Sequence, residues 1–182
     1  MADSRAACRY ALSLLTVAEE GGRLEQVKQD LDLIGNLITT SEEFSRFLKS
    51  PVINTMKKRS VLDSILGGLV SDLTLKFVQL LAKKEREPIL YAVIREFNRL
   101  RDQRLGILRV VTRTAVPMTK IQEEELVRRL EQATKKKVHM SYVQDPSLLG
   151  GFAVQFDDTV WDASVRRQLE MLRQKLLTAS VQ

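Results

Sequence analysis

The chain has few cysteine, glycine, proline or aromatic residues. Its 182 residues include one cysteine, eight glycines and four prolines, and aromatic side chains make up 5%. The single cysteine, Cys8, excludes an intramolecular disulfide and agrees with a reducing compartment. The scarcity of turn-forming and aromatic residues argues against an all-β sandwich and favours helices. Because Cys8 stands among alanines on a predicted helix, we expect it to be a small, buried apolar side chain.

Long apolar runs are absent as well. No stretch reaches the roughly 18 apolar residues that a membrane-spanning helix needs. Asp3 and Arg5 interrupt the start of the chain, so we expect no signal peptide. Any association with a membrane is therefore expected to depend on partner proteins.

The sequence also lacks the motifs of nucleotide-binding and metal-binding sites. It contains neither a G-x-x-x-x-G-K-[ST] phosphate loop nor a G-x-G-x-x-G fingerprint. The only histidine, His139, faces opposite to Val138 and Met140 on a predicted strand, where we expect a surface or hydrogen-bonded side chain. The acidic groups at 123–125 and 157–158 are neighbours in sequence and do not indicate converging carboxylates. We expect no cofactor, no metal and no catalytic site.

The net charge is positive but evenly distributed. The chain carries a formal charge of +6 with a pI near 9.6. Residues 1–105 hold 17 basic and 14 acidic side chains and residues 106–182 hold 12 and 9, which leaves +3 in each part. A basic helical nucleic-acid-binding or ribosome-associated protein is an alternative. Even charge and the lack of a nucleic-acid-reading motif weigh against it.

The predicted fold is α+β. An all-α bundle of six helices over residues 1–105 precedes a small α/β domain over residues 106–182. The helices are predicted over 4–20 with Ser4 as cap, over 23–39, from Ser41 to Ser50, over 55–66, after the cap Ser71, and from Pro88 onwards.

After Gly106 the composition becomes β-branched, which predicts a strand over Ile107–Val116. Thr119 and Gln122 form a capping box that begins a helix ending near Lys135. A second strand is predicted over Lys137–Gln144. With the segment that follows, the order indicates one sheet and two helices.

The last segment, Gln144 to Leu176, contains the most specific pattern. Asp145-Pro146 ends a strand, and Gly150-Gly151 allows backbone conformations closed to other residues. Phe152–Phe156 and Thr159–Trp161 form a predicted hairpin around Asp157-Asp158, with Trp161 in its core. Asp162 or Ser164 then caps a helix with one apolar face, which comprises Val165, Leu169, Leu172 and Leu176. We expect this face to close the small domain, with presentation to a partner as the alternative.

The run DPSLLGGF, the hairpin and the run D-x-SV-x-x-QLE resemble the C-terminal signature of the ATP synthase delta subunit family, which includes the mitochondrial oligomycin-sensitivity-conferring protein (OSCP). The run SPVINTMKKRSVLDSIL resembles the chloroplast and cyanobacterial branch. The resemblance extends over the whole chain. It implies a non-catalytic stator subunit that joins the catalytic head to the peripheral stalk. It also implies a peripheral place on the stromal side of the chloroplast thylakoid, or alternatively on the cytoplasmic side of a bacterial membrane.

The first and fifth predicted helices carry wide apolar arcs, which either a central place in the bundle or a groove for a partner helix would explain. The resemblance implies the groove, and it implies that the groove binds the N-terminal segment of a catalytic-head alpha subunit. It places residues 106–182 on the b-type helices of the stalk, with no direct contact to nucleotide or nucleic acid. The implied partner-binding residues are Ala7, Tyr10, Ala11, Leu14, Phe77, Leu80 and Leu81. The signature residues Asp145, Pro146, Gly150, Gly151, Asp162 and Ser164 are interpreted as structural.

Overall fold

The computed structural model describes residues 2–156 and 159–179, and the chain divides into two compact units between Arg101 and Asp102. The N-terminal unit consists of helices and one 3-10 turn, Glu87–Ile89. Its helices are α1 (Ala2–Glu20), α2 (Leu24–Thr40), α3 (Glu42–Lys49), α4 (Thr55–Leu66), α5 (Asp72–Lys83) and α6 (Leu90–Arg104), of which α6 ends beyond the boundary. The C-terminal unit combines a sheet with two helices, so the predicted fold class is confirmed.

Short polar side chains begin three of these helices. Ser41 Oγ accepts a hydrogen bond from Phe44 N at 3.2 Å. Asn54 Oδ1 accepts one from Met56 N at 2.9 Å, and Ser71 Oγ one from Thr74 N at 3.5 Å. Each bond satisfies an amide that has no partner within its own helix. The predicted caps Ser41 and Ser71 are thus confirmed, whereas Ser4 lies inside the first turn of α1.

Two polar links join separate elements inside the N-terminal unit. The Asp30 carboxylate on α2 accepts hydrogen bonds from Ser71 N at 2.9 Å and from Thr74 Oγ1 at 2.7 Å. Lys58 on α4 forms an ion pair with Glu87, and both side chains are 5% exposed. An apolar core to which all six helices contribute surrounds them. The two polar links therefore join α2 to α5 and α4 to the turn that precedes α6.

The C-terminal unit contains a four-stranded sheet in the order β2-β1-β3-β4. Its elements are β1 (Ile107–Thr114), α7 (Lys120–Thr134), β2 (Lys137–Gln144), β3 (Phe152–Phe156), β4 (Thr159–Asp162) and α8 (Val165–Ala179). β1 and β2 pair in parallel across the α7 crossover, and β3 pairs antiparallel with both β1 and β4. The predicted turn at Asp157-Asp158 lies outside the described residues.

α7 covers one face of this sheet. Leu108, Val110 and Val154 pack with Leu130 of α7 in a small apolar core. α7 begins with the predicted capping box, in which Gln122 N donates to Thr119 Oγ1 at 3.4 Å and Thr119 N donates to Gln122 Oε1 at 2.9 Å. No described residue of α8 belongs to this core.

Candidate partner-binding surfaces

α1 and α5 place most of the residues proposed to bind a partner inside the N-terminal unit. Ala7, Ala11 and Leu14 are at most 2% exposed on α1. Phe77 and Leu81 are likewise buried on α5. All five belong to the apolar core of the unit. Their wide apolar arcs therefore include a large contribution from packing inside the bundle.

Tyr10 and Leu80 are the two proposed residues that retain accessible surface. Tyr10 is half-buried against the core, and Leu80 is 44% exposed. Two apolar residues outside the proposed set also retain accessible surface. Val17 is 49% exposed and lies seven residues after Tyr10, and Leu73 is half-buried and lies seven residues before Leu80. Since seven residues are two helical turns, each pair lies on one side of its helix. The spacing is visible in the sequence, but it does not tell which side of α1 or α5 faces outward.

In the C-terminal unit, the signature residues form the junction that starts α8. Asp145 Oδ1 accepts hydrogen bonds from Ser147 N at 3.0 Å and Ser147 Oγ at 2.6 Å, which closes a turn after β2. Pro146 opens the 3-10 turn Pro146–Leu148. Asp162 Oδ1 accepts from Ser164 N at 2.9 Å, and Ser164 Oγ caps α8 by accepting from Arg167 N at 3.2 Å.

Gly150 and Gly151 lie where the start of α8 crosses the beginning of β3. Val165 N donates to Gly150 O at 3.0 Å. A Cβ on Gly150 would lie 2.9 Å from Val165 Cγ2, and one on Gly151 would lie 2.5 Å from the Ala163 carbonyl oxygen. Gly151 also has a φ of +74°, in the region that favours glycine. The paired glycines thus permit a close backbone approach that orients the first turn of α8.

The apolar face of α8 is exposed, which corrects the expectation that it closes the small domain. Val165, Leu169, Leu172 and Leu176 are 39%, 53%, 54% and 64% exposed. The prediction followed from periodicity, but periodicity reports an apolar face and not what covers it. Trp161 also differs from the prediction, since it is 51% exposed. It still stacks edge-to-face on Phe156 at 5.3 Å between ring centroids.

Hydrogen bonding lowers the pKa values of two carboxyl groups at this junction. The side-chain hydrogen bond from Ser147, followed by its backbone hydrogen bond, lowers the pKa of Asp145. The corresponding bonds from Ser164 lower the pKa of Asp162, with a smaller contribution from Arg167 and Arg166. Burial, with a smaller contribution from Glu123, raises the pKa of Tyr142. The ionised form is therefore stabilised at both carboxyl groups, in the turn after β2 for Asp145 and at the start of α8 for Asp162.

The described residues contain no group of three or more histidine, cysteine or acidic side chains arranged to hold a metal ion. None of the helices in the described ranges is long and apolar enough to cross a membrane. His139 is exposed, as predicted, whereas Cys8, which was expected to be buried, is half-buried. A cleft of about 410 Å³ between the β1–α7 loop and Gly151 contains Arg129 and Glu125, which pair with each other at 2.5 Å.

Comparison with known proteins assigns the family. The family model for the ATP synthase delta (OSCP) subunit matches residues 6–176. ATP synthase subunit delta of Chlorobaculum tepidum is 40% identical over 177 residues, which cover 97% of this chain and 98% of that protein. The corresponding subunit of Chloroherpeton thalassium is 36% identical over 173 residues, or 95% and 94% of the two chains.

The fold also matches a chain of the Toxoplasma gondii mitochondrial ATP synthase hexamer. The TM-score is 0.70 at 23% identity, and the match covers 94% of this chain and 97% of the other. At that identity the likeness concerns the fold alone, but it extends over both units. Because the family model and the bacterial relatives span nearly the whole sequence, the chain belongs to the ATP synthase delta (OSCP) subunit family and is a non-catalytic component of the synthase stator.

Proposed function

We propose that the two units bind two different parts of the synthase. Residues 1–105 would bind the N-terminal segment of an alpha subunit of the catalytic head, and residues 106–182 the b-type helices of the peripheral stalk. On this proposal the chain contacts neither nucleotide nor nucleic acid, and it associates with the membrane only through the complex. Its mechanical role is to transmit torque from the head to the stalk, so that the head does not turn with the rotor.

The observation that carries the proposal is the uncovered apolar surface of α8. Soluble proteins rarely leave several large apolar side chains exposed on one stripe unless another molecule covers them. Four such side chains lie on one face of α8, none of them in the core of the C-terminal unit. The rigid junction at Gly150 and Ser164 would transmit force between a partner on α8 and the sheet.

The N-terminal unit supports the proposal through residues on the outside of α1 and α5. Tyr10 and Val17 lie on one side of α1, and Leu73 and Leu80 lie on one side of α5. Each pair is spaced as an amphipathic partner helix requires. Ala11 on α1 and Phe77 on α5 lie buried in the core of the same unit. Apolar contact suits a persistent connection, because salt screens it less than it screens surface ion pairs.

The relatives bear on where the complex works. The subunits of Chlorobaculum tepidum and Chloroherpeton thalassium are bacterial proteins. They favour a bacterial membrane, with the chain peripheral on its cytoplasmic side, over the stromal side of a chloroplast thylakoid. The resemblance of residues 50–66 to the chloroplast and cyanobacterial branch is not sufficient to assign a plastid location.

A synthetic peptide from the N-terminus of the alpha subunit tests the role of the N-terminal unit. We expect the full chain to bind it with little salt dependence, and Leu80→Asp and Val17→Asp to weaken binding at least about tenfold, since each places a charge on an apolar contact. Val52→Asp is the matched control, because Val52 is 90% exposed and lies outside α1 and α5. Circular dichroism must show that every variant is folded. Failure of the wild-type chain to bind, or equal loss in all three variants, would overturn the assignment.

A further inference from the structure

α8 presents a stripe with the spacing of a coiled-coil seam. Val165, Leu169, Leu172 and Leu176, here called the α8 seam, are separated by four, three and four residues. This is the alternation of core positions in a heptad repeat, which packs against one partner helix. The seam extends over roughly 16 Å, or about three helical turns. All four side chains are more than a third exposed.

The helix is fixed at its start and uncovered along its seam. The Ser164 cap and the bond from Val165 N to Gly150 O hold the first turn. The leucines that follow, Leu169, Leu172 and Leu176, are each more than half exposed. A helix whose direction is set before binding loses less conformational freedom when a partner docks. The geometry is that of a preorganised docking helix.

The residues beside the seam are mostly basic. Residues 165–179 contain four basic residues and one acidic residue, a net charge of +3. Arg166 and Arg173 follow seam residues at the flanking position that faces a partner helix in a coiled coil. Glu170 lies away from that flank and pairs with Arg166 at 3.4 Å, with both side chains more than half exposed. The accessible edge of the seam is therefore basic.

This charge disfavours pairing with a second copy of the chain. In an antiparallel pair of α8 helices the flanking Arg166 and Arg173 would face the same residues of the copy. Like charges at such positions oppose association and help to set partner choice. A helix with acidic flanking residues would instead form ion pairs across the same seam.

We propose that the α8 seam docks an amphipathic helix of another chain, whose own apolar seam is flanked by glutamate or aspartate. The inference deepens the proposed function and rests on it for the source of that helix, the peripheral stalk. The apolar seam supplies affinity, and the arginines supply orientation and selectivity. Because the contact is short, a single helix alone is expected to bind in the micromolar range.

Designed peptides test the chemistry with the full chain. One 21-residue helix carries leucine at its seam positions and glutamate at the flanks, and its match carries lysine at the same flanks. Fluorescence anisotropy should show at least about tenfold tighter binding of the glutamate peptide. Arg173→Glu should reduce or reverse that preference, whereas Arg167→Glu, on the opposite side of α8, should leave it. Equal affinity for both peptides would overturn the charge selection.

Substitutions in the seam test the site. Leu172→Gln should weaken binding of the glutamate peptide at least about tenfold. Met171→Gln is the control, because Met171 is 44% exposed and lies one residue away, and it should change binding less than about threefold. The same pair is then compared in a pulldown of the intact stalk subunit from the source organism. Capture of that subunit by wild-type and Leu172→Gln chains alike would overturn the assignment of the α8 seam as the docking site and leave the proposed function standing.

Two further measurements distinguish the proposed function from the seam chemistry, and a foreign helix from a second copy of the chain. If the stalk subunit does not bind the wild-type chain while the glutamate peptide does, the proposed function fails and the chemistry of the seam stands. Light scattering on the free chain tests whether a second copy of the chain occupies the α8 seam instead. A dimer that Leu172→Gln abolishes would overturn the choice of a foreign helix in favour of a second copy.

Discussion

Gly150 and Val165 approach so closely that a Cβ on Gly150 would force the Val165 side chain to shift. Val165 N donates to Gly150 O at 3.0 Å, and a Cβ on Gly150 would lie 2.9 Å from Val165 Cγ2. The neighbouring Gly151 lies more tightly still, against backbone, since its Cβ would meet the Ala163 carbonyl oxygen at 2.5 Å. The glycine pair thus sets where α8 leaves the sheet.

Gly151→Ala should destabilise the C-terminal unit more than Gly106→Ala does. Both glycines have a positive φ, but a Cβ on Gly106 would meet nothing within 4 Å. The two substitutions share the cost of the left-handed backbone, and only the first adds a clash, worth about 1–3 kcal/mol. Trp161 is the only tryptophan and lies in β4, so its fluorescence during urea unfolding reports on this unit. Equal midpoints for the two variants would contradict the close approach.

Asp30→Ala should destabilise the N-terminal unit by about 3 kcal/mol. The buried carboxylate accepts hydrogen bonds from Ser71 and Thr74, and the substitution would leave those donors without this acceptor. Urea unfolding followed by circular dichroism measures the loss. Asp63→Ala is the control, since Asp63 accepts an exposed hydrogen bond from Gln79 at 3.0 Å. Its cost should stay within roughly 0.5 kcal/mol. A similar cost for both variants would show that the Asp30 contacts contribute little.

Lys58→Met should be more harmful alone than in combination with Glu87→Leu. Removing one member of a buried ion pair leaves an uncompensated charge, which costs about 3–5 kcal/mol, whereas an apolar pair of similar volume is often neutral or stabilising. Glu87 Oε2 is already buried without a hydrogen-bond partner in the described part of the chain. The double variant should therefore recover most of the free energy of unfolding. Losses that simply add in the double variant would contradict this expectation.

Acid should weaken the C-terminal unit through Asp162. Hydrogen bonds from Ser164 lower the pKa of Asp162 in the folded state. The unfolded chain then binds more protons, so the stabilisation is complete above the unfolded pKa of about 3.9 and is lost as the pH falls through the folded pKa. Asp162→Asn, which can still accept from Ser164, should lose less stability between about pH 5 and pH 3 by tryptophan fluorescence. Identical pH profiles for variant and wild type would rule out this contribution.

Much of the secondary structure was predictable because its signals are local. Ser41, Ser71 and the Thr119–Gln122 box begin helices where the sequence placed them, since a cap acts within three residues of itself. Pro88 was predicted to begin a helix, but it lies in a 3-10 turn that precedes α6. β1 ends at Thr114, two residues earlier than expected. Element ends depend on neighbouring packing and are less determined by local sequence.

The candidate surfaces were less predictable. Ala7, Leu14 and Leu81 were assigned to a partner and lie in the core, whereas Leu172 was assigned to the core and lies exposed. Whether an apolar face on α1 is covered depends on helices distant in sequence. The spacing of Val17 and Leu73 is visible in the sequence. Whether these residues are exposed depends on which side of each helix the bundle occupies.

By itself the sequence determined the helical first half, the mixed second half, the capped starts of helices and the signature that led to the family. These follow from periodicity, caps and glycine placement, each of which acts over a few residues. Only the tertiary structure decided that α1 turns its apolar face inward and α8 turns its own outward. Both helices have an apolar face, and whether that face is buried depends on which distant segments pack against it.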